Sequence, residues 1–161
     1  VGISALAIHG RTRSQMYKGE ADWEPIARVK QNPRIKIPII GNGDIDSPQK
    51  VKEAFERYGV DGVMIGRAVR GNPWIFREIS EYLNTGVIPD GPSPQEITDM
   101  ILRHTRMLIE FKGEYTGIRE MRTHICFYVS GLRHANDIRR KINTIESYAE
   151  LEELFASHPL Q

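Results

Sequence analysis

Short apolar runs alternate with stretches of helical periodicity through the first half of this 161-residue chain. Each run spans four to six residues and stops at a glycine or a polar turn, which is typical of a strand in a buried parallel sheet. The intervening stretches carry apolar side chains three and four positions apart, the spacing of one helix face. The predicted strands and helices alternate as residues 5–8, 23–30, 37–40, 48–58, 60–65 and 73–86. Residues 1–88 therefore predict a β-α-β-α-β-α order.

The pattern changes after residues 87–92, where two prolines and one glycine mark a linker. Beyond it no apolar run is followed by glycine, and apolar residues recur at helical spacing. The first of these helices should turn Ile101 and Phe111 toward its core. Further helices are predicted at about 115–129, 136–143 and 145–155. Residues 93–161 thus predict an all-helical second domain.

Three side chains are placed to cap predicted helices. Asp22 and Ser47 each precede a helix, and their short polar side chains favour the N-cap position. Pro48 follows Ser47 at the first helical position, where proline is favoured. Ser93 and Glu96 form the Ser-x-x-Glu pattern of a capping box. These signals fix where three of the helices should begin.

Length and composition exclude several classes of protein. At 161 residues the chain is shorter than a complete eight-fold βα barrel, which needs roughly 250 residues. It begins with Val1 rather than Met, and we expect it to start within a domain. A single cysteine, Cys126, excludes an internal disulfide and a cysteine metal cluster and suits a reducing, cytoplasmic compartment. No apolar run approaches the length of a transmembrane helix.

Positive charge is concentrated in the helical half. The formal net charge of the whole chain is only +1. Residues 103–141, however, contain nine Lys or Arg against four Asp or Glu. A basic helical region is compatible with nucleic acid, and a solvated helix face is the commoner explanation.

The strongest chemical signal is a pair of glycine turns that follow two consecutive predicted strands. Gly43 and Gly66 lie where strand becomes loop, and glycine there lets a ligand approach the backbone closely. Asn42 adds an amide, and Arg67 adds a guanidinium suited to phosphate oxygens. One such turn alone would suggest a tight turn only, but two in succession favour a phosphate site. His9, at the end of the first strand, is a candidate partner for a ring or a phosphate, although a structural role is commoner.

The helical half offers a second group of candidates. Arg119, Arg122 and His124 lie at about one-turn spacing and could share part of a face that holds an anion, or form a solvated edge. For two other residues a structural role is the commoner interpretation. Cys126 is expected to be a buried small hydrophobe rather than a nucleophile. Asp44 could be catalytic, but an acid after an Asn-Gly turn more often binds local backbone amides.

Several of these segments, taken in order, resemble the bacterial tRNA-dihydrouridine synthases, most closely the NifR3-like type. The similar segments are IHGRTR at 8–13, GNGDI at 41–45, MIGRA at 64–68, GNPWIF at 71–76 and GIREMRTH at 117–124. The resemblance implies an α/β plus α architecture, in which the last three βα units of a partial TIM (β/α)8 barrel precede a helical tRNA-binding domain. It also implies reduction of a tRNA uridine to 5,6-dihydrouridine, with FMN as cofactor and NADPH as reductant.

The resemblance also implies roles for individual residues. His9, Asn42, Gly43, Gly66 and Arg67 would hold FMN. The residues implied or expected to face tRNA are Arg119, Arg122, His124, Arg139 and Arg140. No catalytic residue is expected in this chain, because the family's acid is a cysteine that would precede Val1, and no metal site is expected.

Two other functions stay open at this point. One is a different FMN barrel oxidoreductase, such as a dihydropyrimidine or dihydroorotate dehydrogenase, although a small substrate needs no basic helical appendage. The other is a non-catalytic RNA-binding or structural fragment. A partial barrel exposes strand edges, which would pair with the remainder of its own barrel or with another copy.

Overall fold

The computed structural model describes residues 2–161. In this part of the chain the strands are β1 (Leu6–His9), β2 (Ile39–Asn42) and β3 (Gly62–Met64). The α-helices are α1 (Glu24–Gln31), α2 (Pro48–Tyr58), α3 (Ile75–Thr85), α4 (Pro94–Lys112), α5 (Glu114–Tyr128), α6 (Ala135–Ile142) and α7 (Tyr148–Ser157). A short 3-10 helix, Arg67–Val69, follows β3 and was not expected from the sequence. The predicted alternation in the first half and the all-helical second half are both observed.

The chain forms two compact units. The first, the sheet unit, comprises the described residues up to 69 together with 74–89. The second, the helical unit, comprises 70–73 and 90–161. The division lies close to the predicted linker, except that a four-residue turn after the 3-10 helix belongs to the helical unit. Among residues 2–161, no helix combines the length and apolar character that a membrane crossing requires.

The sheet unit is a parallel three-stranded sheet, in the described residues, with the order β1-β2-β3. Its register pairs His9 with Asn42, and Asn42 with Met64. The carboxyl ends of the three strands therefore meet along one edge. Ile26 of α1 and Ile39 of β2 are completely buried in the core. Removing such side chains from water is the main stabilising contribution to this unit.

The second strand begins and ends later than its apolar run indicates. It runs from Ile39 through Gly41 to Asn42, whereas the apolar run covers 37–40. Its ends follow its pairing, from Ile39 opposite Leu6 to Asn42 opposite His9 and Met64. Within the strand, the Trp23 indole occupies the space of a side chain at position 41. A Cβ on Gly41 would lie 2.2 Å from the Trp23 ring. Glycine at this position is thus a packing requirement within a strand rather than the end of one.

Two of the three expected caps are confirmed. The Ser47 side chain accepts a hydrogen bond from the backbone N–H of Lys50. Ser93 forms a complete capping box with Glu96. The expectation for Asp22 is wrong, because Trp23 is the N-cap of α1 and makes no side-chain cap. Asp22 instead accepts from the N–H of Glu24 at 3.0 Å in the turn just before the helix.

The helical unit is built on an apolar seam between α4 and α5. Ile101 of α4 and Met121 of α5 are almost completely buried. The expected inward position of Phe111 is wrong, since its side chain is 81% exposed. Phe111 follows Ile101 by ten positions, which places it about 80° around the helix from the buried stripe. Gly71 also packs in this unit, with φ +71° and a position where a Cβ would lie 2.4 Å from the carbonyl carbon of Phe127.

Candidate functional site

The carboxyl edge of the sheet is joined by side-chain hydrogen bonds between strands. His9 Nδ1 lies 3.1 Å from the Asn42 carbonyl oxygen. Because a carbonyl only accepts, Nδ1 carries the proton and Nε2 is left for another partner. The Asn42 side-chain amide donates to the Met64 carbonyl oxygen at 2.8 Å. His9 and Asn42 therefore fix the relative positions of the three strand ends.

Beside this edge, Arg11 and Asp44 form a bidentate ion pair. Arg11 Nη1 and Nη2 donate to Asp44 Oδ1 and Oδ2 at 2.8 and 2.6 Å, and the Arg11 side chain is only 3% exposed. The Ala21 N–H also donates to Asp44, at 2.8 Å. The hydrogen bond from Arg11, with that from Ala21, holds the pKa of Asp44 below its ordinary value.

The same arginine organises the loop after β1. Arg11 Nη2 donates to the Gly19 carbonyl at 2.6 Å, and Arg11 Nε donates to the Lys18 carbonyl at 3.3 Å. The sequence interpretation gave Asp44 a role in binding local backbone amides. Asp44 does accept from a backbone amide, but that amide belongs to Ala21, 23 positions away, so the expected local contact is wrong. The interpretation also missed Arg11, whose partner lies 33 residues away and leaves no local signal.

Gly43 is required by the fold itself. Its φ is +136°, a conformation that L side chains rarely adopt, and a Cβ there would lie 2.6 Å from the Cβ of Ala21. Its carbonyl oxygen accepts a hydrogen bond from Trp23 Nε1 at 3.0 Å. The protein's own packing thus accounts for this glycine, whether or not a ligand approaches it.

Gly66 lies in a different environment. A Cβ at this position would have no atom within 4 Å among the surroundings described, and its φ lies outside the left-handed region. Neither backbone strain nor packing within the described chain requires glycine here. The open space at Gly66 would let an external group approach the backbone closely, which is one physical reason for glycine at a site.

Arg67 follows Gly66 and keeps uncompensated charge. Its side chain is 52% exposed, with Nη2 at 3.4 Å from Asp44 Oδ1. Its guanidinium also lies over the Tyr17 ring, 4.4 Å from the centroid. Because Asp44 is already paired with Arg11, two guanidinium groups share one carboxylate. One positive charge is left at this edge, as an anion site requires.

The predicted RNA-facing residues of α5 have different surroundings. The Arg119 guanidinium lies 3.5 Å from the Tyr115 ring centroid, and Arg119 Nη2 lies 3.6 Å from a Glu146 carboxylate oxygen. Arg122 donates from Nε and Nη2 to the Ile145 carbonyl oxygen, at 3.1 and 2.6 Å. Arg119 is therefore a partly exposed cation, whereas Arg122 ties α5 to the turn before α7.

His124 lies beside a second histidine. Its ring centroid is 4.9 Å from that of His104 on α4, and His104 Nδ1 lies 3.3 Å from the Tyr128 hydroxyl. Burial, with a smaller contribution from His124, lowers the pKa of His104. The arrangement favours a neutral His104 at neutral pH.

Arg139 and Arg140 are neighbours in sequence but not in role. Arg139 Nη2 donates to the Cys126 carbonyl oxygen at 3.2 Å and so ties α6 to α5. Arg140 pairs with Asp137 on the surface of α6, and its side chain is 81% exposed. The structure therefore places the candidate cofactor residues at one edge of the sheet unit, and the candidate RNA residues on α5 and α6 of the helical unit.

Comparison with known proteins identifies the family. The profile described as Dihydrouridine synthase (Dus) matches residues 1–159. The chain belongs to the dihydrouridine synthase family.

Similar proteins carry the corresponding names. The chain is 47% identical to a tRNA-dihydrouridine synthase B of Pseudomonas aeruginosa over 146 residues, covering 90% of this chain and 43% of that protein. It is also 47% identical to a tRNA-dihydrouridine synthase B of Vibrio parahaemolyticus, covering 91% of this chain and 45% of the relative. A probable tRNA-dihydrouridine synthase of Rickettsia conorii is 39% identical, with 96% and 46% covered. The chain thus spans less than half the length of these relatives.

Proposed function

We propose that the protein carrying this chain reduces uridine in tRNA to 5,6-dihydrouridine. The observation that carries the proposal is the anion cradle at the sheet edge, where open space at Gly66 adjoins the exposed Arg67. Family membership and the names of the relatives support the same reaction. They also favour it over a dihydropyrimidine or dihydroorotate dehydrogenase and over a non-catalytic RNA-binding fragment.

The residues at the sheet edge fit a flavin mononucleotide. Gly66 would admit its phosphate and Arg67 would neutralise that phosphate. Gly43, Asn42 and His9 would form the adjoining wall, with His9 Nε2 available to a polar atom. When bound, FMN reduced by NADPH would supply the reducing equivalents for the C5–C6 double bond of uracil.

The architecture and the proton donor belong to the same proposal. The sheet unit would be the last three βα units of a TIM barrel, and its outer strands β1 and β3 would pair with the rest of that barrel or with another copy. Cys126 lies within α5, partly buried, and its carbonyl accepts from Arg139. We therefore assign it a structural role, and a cysteine outside these residues would be the acid.

The helical unit would bind tRNA, and the structure supports a division of labour among its arginines. Arg119 and Arg140 are the candidates for phosphate contact, because part of each guanidinium faces solvent. Arg122 and Arg139 would hold the helices that present them, through bonds to main-chain carbonyls. His124 would lie beside the RNA. A tRNA substrate would fit a cytoplasmic location for the protein.

The test is flavin retention in the full protein. Replacing Arg67 with Ala should lower the ratio of bound flavin to protein after purification, because a charge-assisted bond worth about 1.5–3 kcal/mol is lost. NADPH-dependent dihydrouridine formation on unmodified tRNA should fall with it. Arg28→Ala, at an exposed position of α1, is the charge-matched control. Unchanged flavin content in the Arg67 variant would place the phosphate elsewhere.

A further inference from the structure

A cavity of about 760 Å³ opens in the helical unit beside α6 and the segment that follows α7. Its lining includes three permanent cations, Arg133, Arg140 and Lys141, and one carboxylate, Asp137. The other polar residues of the lining are His134, Ser157, His158 and Gln161. Positive charge therefore exceeds negative charge among these side chains. A cleft lined mainly by one sign of charge attracts ions of the opposite sign.

Pairing inside the cavity leaves two of these cations without an acid. Asp137 is already engaged by Arg140, and it lies 3.7 Å from His134 Nδ1. Lys141 Nζ contacts His158 Nε2, which is not a carboxylate. Arg133 is exposed and makes no hydrogen bond or ion pair with any residue in the described range. Arg133 and Lys141 are therefore available to an anion.

The histidine of the cavity is held in one orientation by its neighbours. Ser157 Oγ lies 2.7 Å from the Glu153 carbonyl, to which it donates. It lies 2.8 Å from His158 Nδ1. Because the Ser157 hydroxyl hydrogen is directed at the Glu153 carbonyl, Ser157 Oγ accepts from His158, and Nδ1 carries the ring proton. His158 Nε2 therefore accepts from the Lys141 ammonium. Lys141 is thus positioned before any ligand arrives, which lowers the entropy lost on binding.

We propose that this cavity binds a phosphate group, with Arg133 and Lys141 as its principal contacts. A guanidinium matches two phosphate oxygens at once, and an ammonium adds a point charge. The volume exceeds that of a phosphate and leaves room for an attached sugar. The phosphate comes either from the backbone of tRNA, a source that rests on the proposed function, or from a free phosphorylated metabolite.

Titration with inorganic phosphate tests the site itself. In the full protein, the imidazole NMR signals of His134 and His158 should shift in a saturable way as phosphate is added. Arg133→Gln should weaken the apparent affinity by roughly tenfold, the loss expected for one charge-assisted contact. Arg103→Gln, on an exposed position of α4, should leave it unchanged. The absence of a saturable shift, or equal weakening by both substitutions, would overturn the proposal.

Competition distinguishes the two sources. The RNA backbone is the ligand if unmodified tRNA displaces phosphate and if tRNA affinity falls in Arg133→Gln but not in Arg103→Gln. Displacement by a nucleoside monophosphate, with tRNA affinity equal in the two variants, identifies a free phosphorylated ligand and overturns the RNA source alone. Since Arg133 has no side-chain partner among residues 2–161, its replacement should not unfold the helical unit. Thermal melting followed by circular dichroism checks this. Neither result depends on flavin binding at the sheet edge.

Discussion

Gly43 and Gly66 each follow a strand in the sequence, yet the structure has room for a side chain at Gly66 and none at Gly43. Gly43 has φ +136° and no room for a Cβ, whereas Gly66 has neither restriction within the described surroundings. A glycine needed by the fold and a glycine needed by a ligand look the same in a sequence. The structure distinguishes the two kinds of glycine, and the difference can be measured as stability in one case and flavin content in the other.

We expect Gly43→Ala to reduce stability and Gly66→Val to reduce flavin binding. Gly43→Ala should lower the free energy of unfolding by about 2–4 kcal/mol, through an unfavourable φ and a close contact. Gly66→Val should leave stability within about 0.5 kcal/mol but reduce flavin content. Denaturant unfolding and flavin absorbance measure the two effects. Equal loss of stability in both variants would show that Gly66 also serves the fold.

Asp44 makes the sheet unit sensitive to acid. Its pKa in the folded protein is lowered chiefly by the hydrogen bond from Arg11. The contribution of Asp44 is therefore complete above the ordinary aspartate pKa and is lost as the pH falls through the lowered value. Asp44→Asn should destabilise the protein at neutral pH, and the difference from wild type should shrink from about pH 5 to about pH 2.

Thermal melts across that pH range test this expectation. Asp46→Asn is the control, because Asp46 is 58% exposed and its ion pair, with Lys50, spans a single turn at the surface. A difference between Asp44→Asn and wild type that stays constant with pH would contradict the role assigned to the Arg11 ion pair.

At the scale of elements, the sequence predicts the order of strands and helices well and their ends less well. Ser47 and Ser93 are local signals and predict helix starts correctly. Gly41 lies inside β2 (Ile39–Asn42) instead of ending it, because the strand pairs as far as Asn42. Glycine is required there by Trp23, 18 positions away in sequence. The Arg11–Asp44 pair is equally invisible in a local pattern. Periodicity indicates which face of an element is apolar, but contacts distant in sequence determine where glycine is required and which charged side chains pair.

The turn at 70–73 is expected to be the most sensitive point of the helical unit. Gly71→Ala combines φ +71° with a Cβ 2.4 Å from the Phe127 backbone, and should cost about 2–4 kcal/mol of unfolding free energy. Gly131→Ala also has a positive φ but open space around it, and should cost about 1–2 kcal/mol. Denaturant unfolding compares them; equal costs would mean that contact with α5 does not matter.

Arg139 and Arg140 should separate stability from RNA binding. Arg139→Ala removes the bond to the Cys126 carbonyl and should lower stability by about 1.5 kcal/mol. Arg140→Ala removes only an exposed pair with Asp137 and should change stability by less than about 0.5 kcal/mol. Thermal melting and tRNA filter binding, run on both variants, test the division. Weaker tRNA binding confined to Arg139→Ala would reverse it.

At the scale of the whole molecule, net charge conceals how charge is distributed. The chain is nearly neutral at +1, yet residues 103–141 carry nine basic against four acidic side chains. These 161 residues should therefore contribute little long-range attraction for tRNA, and their contribution to the proposed binding should come from local contacts of the helical unit.

The salt dependence of tRNA binding tests this view. We expect log affinity to fall linearly with log salt, because phosphate neutralisation releases counterions. Arg140→Ala should flatten the slope by about one unit if its guanidinium touches one phosphate. Arg28→Ala in the sheet unit should leave the slope unchanged. A salt-independent affinity in the unaltered protein would contradict phosphate recognition by the helical unit.

Trp23 also makes the sheet edge optically accessible. The chain has two tryptophans, and Trp23 is buried, with its indole N–H bonded to the Gly43 carbonyl beside the proposed phosphate cradle. Its emission should therefore be that of an indole shielded from water. A flavin bound at this edge would absorb that emission, so quenching of tryptophan fluorescence would report cofactor occupancy directly, without labelling the protein.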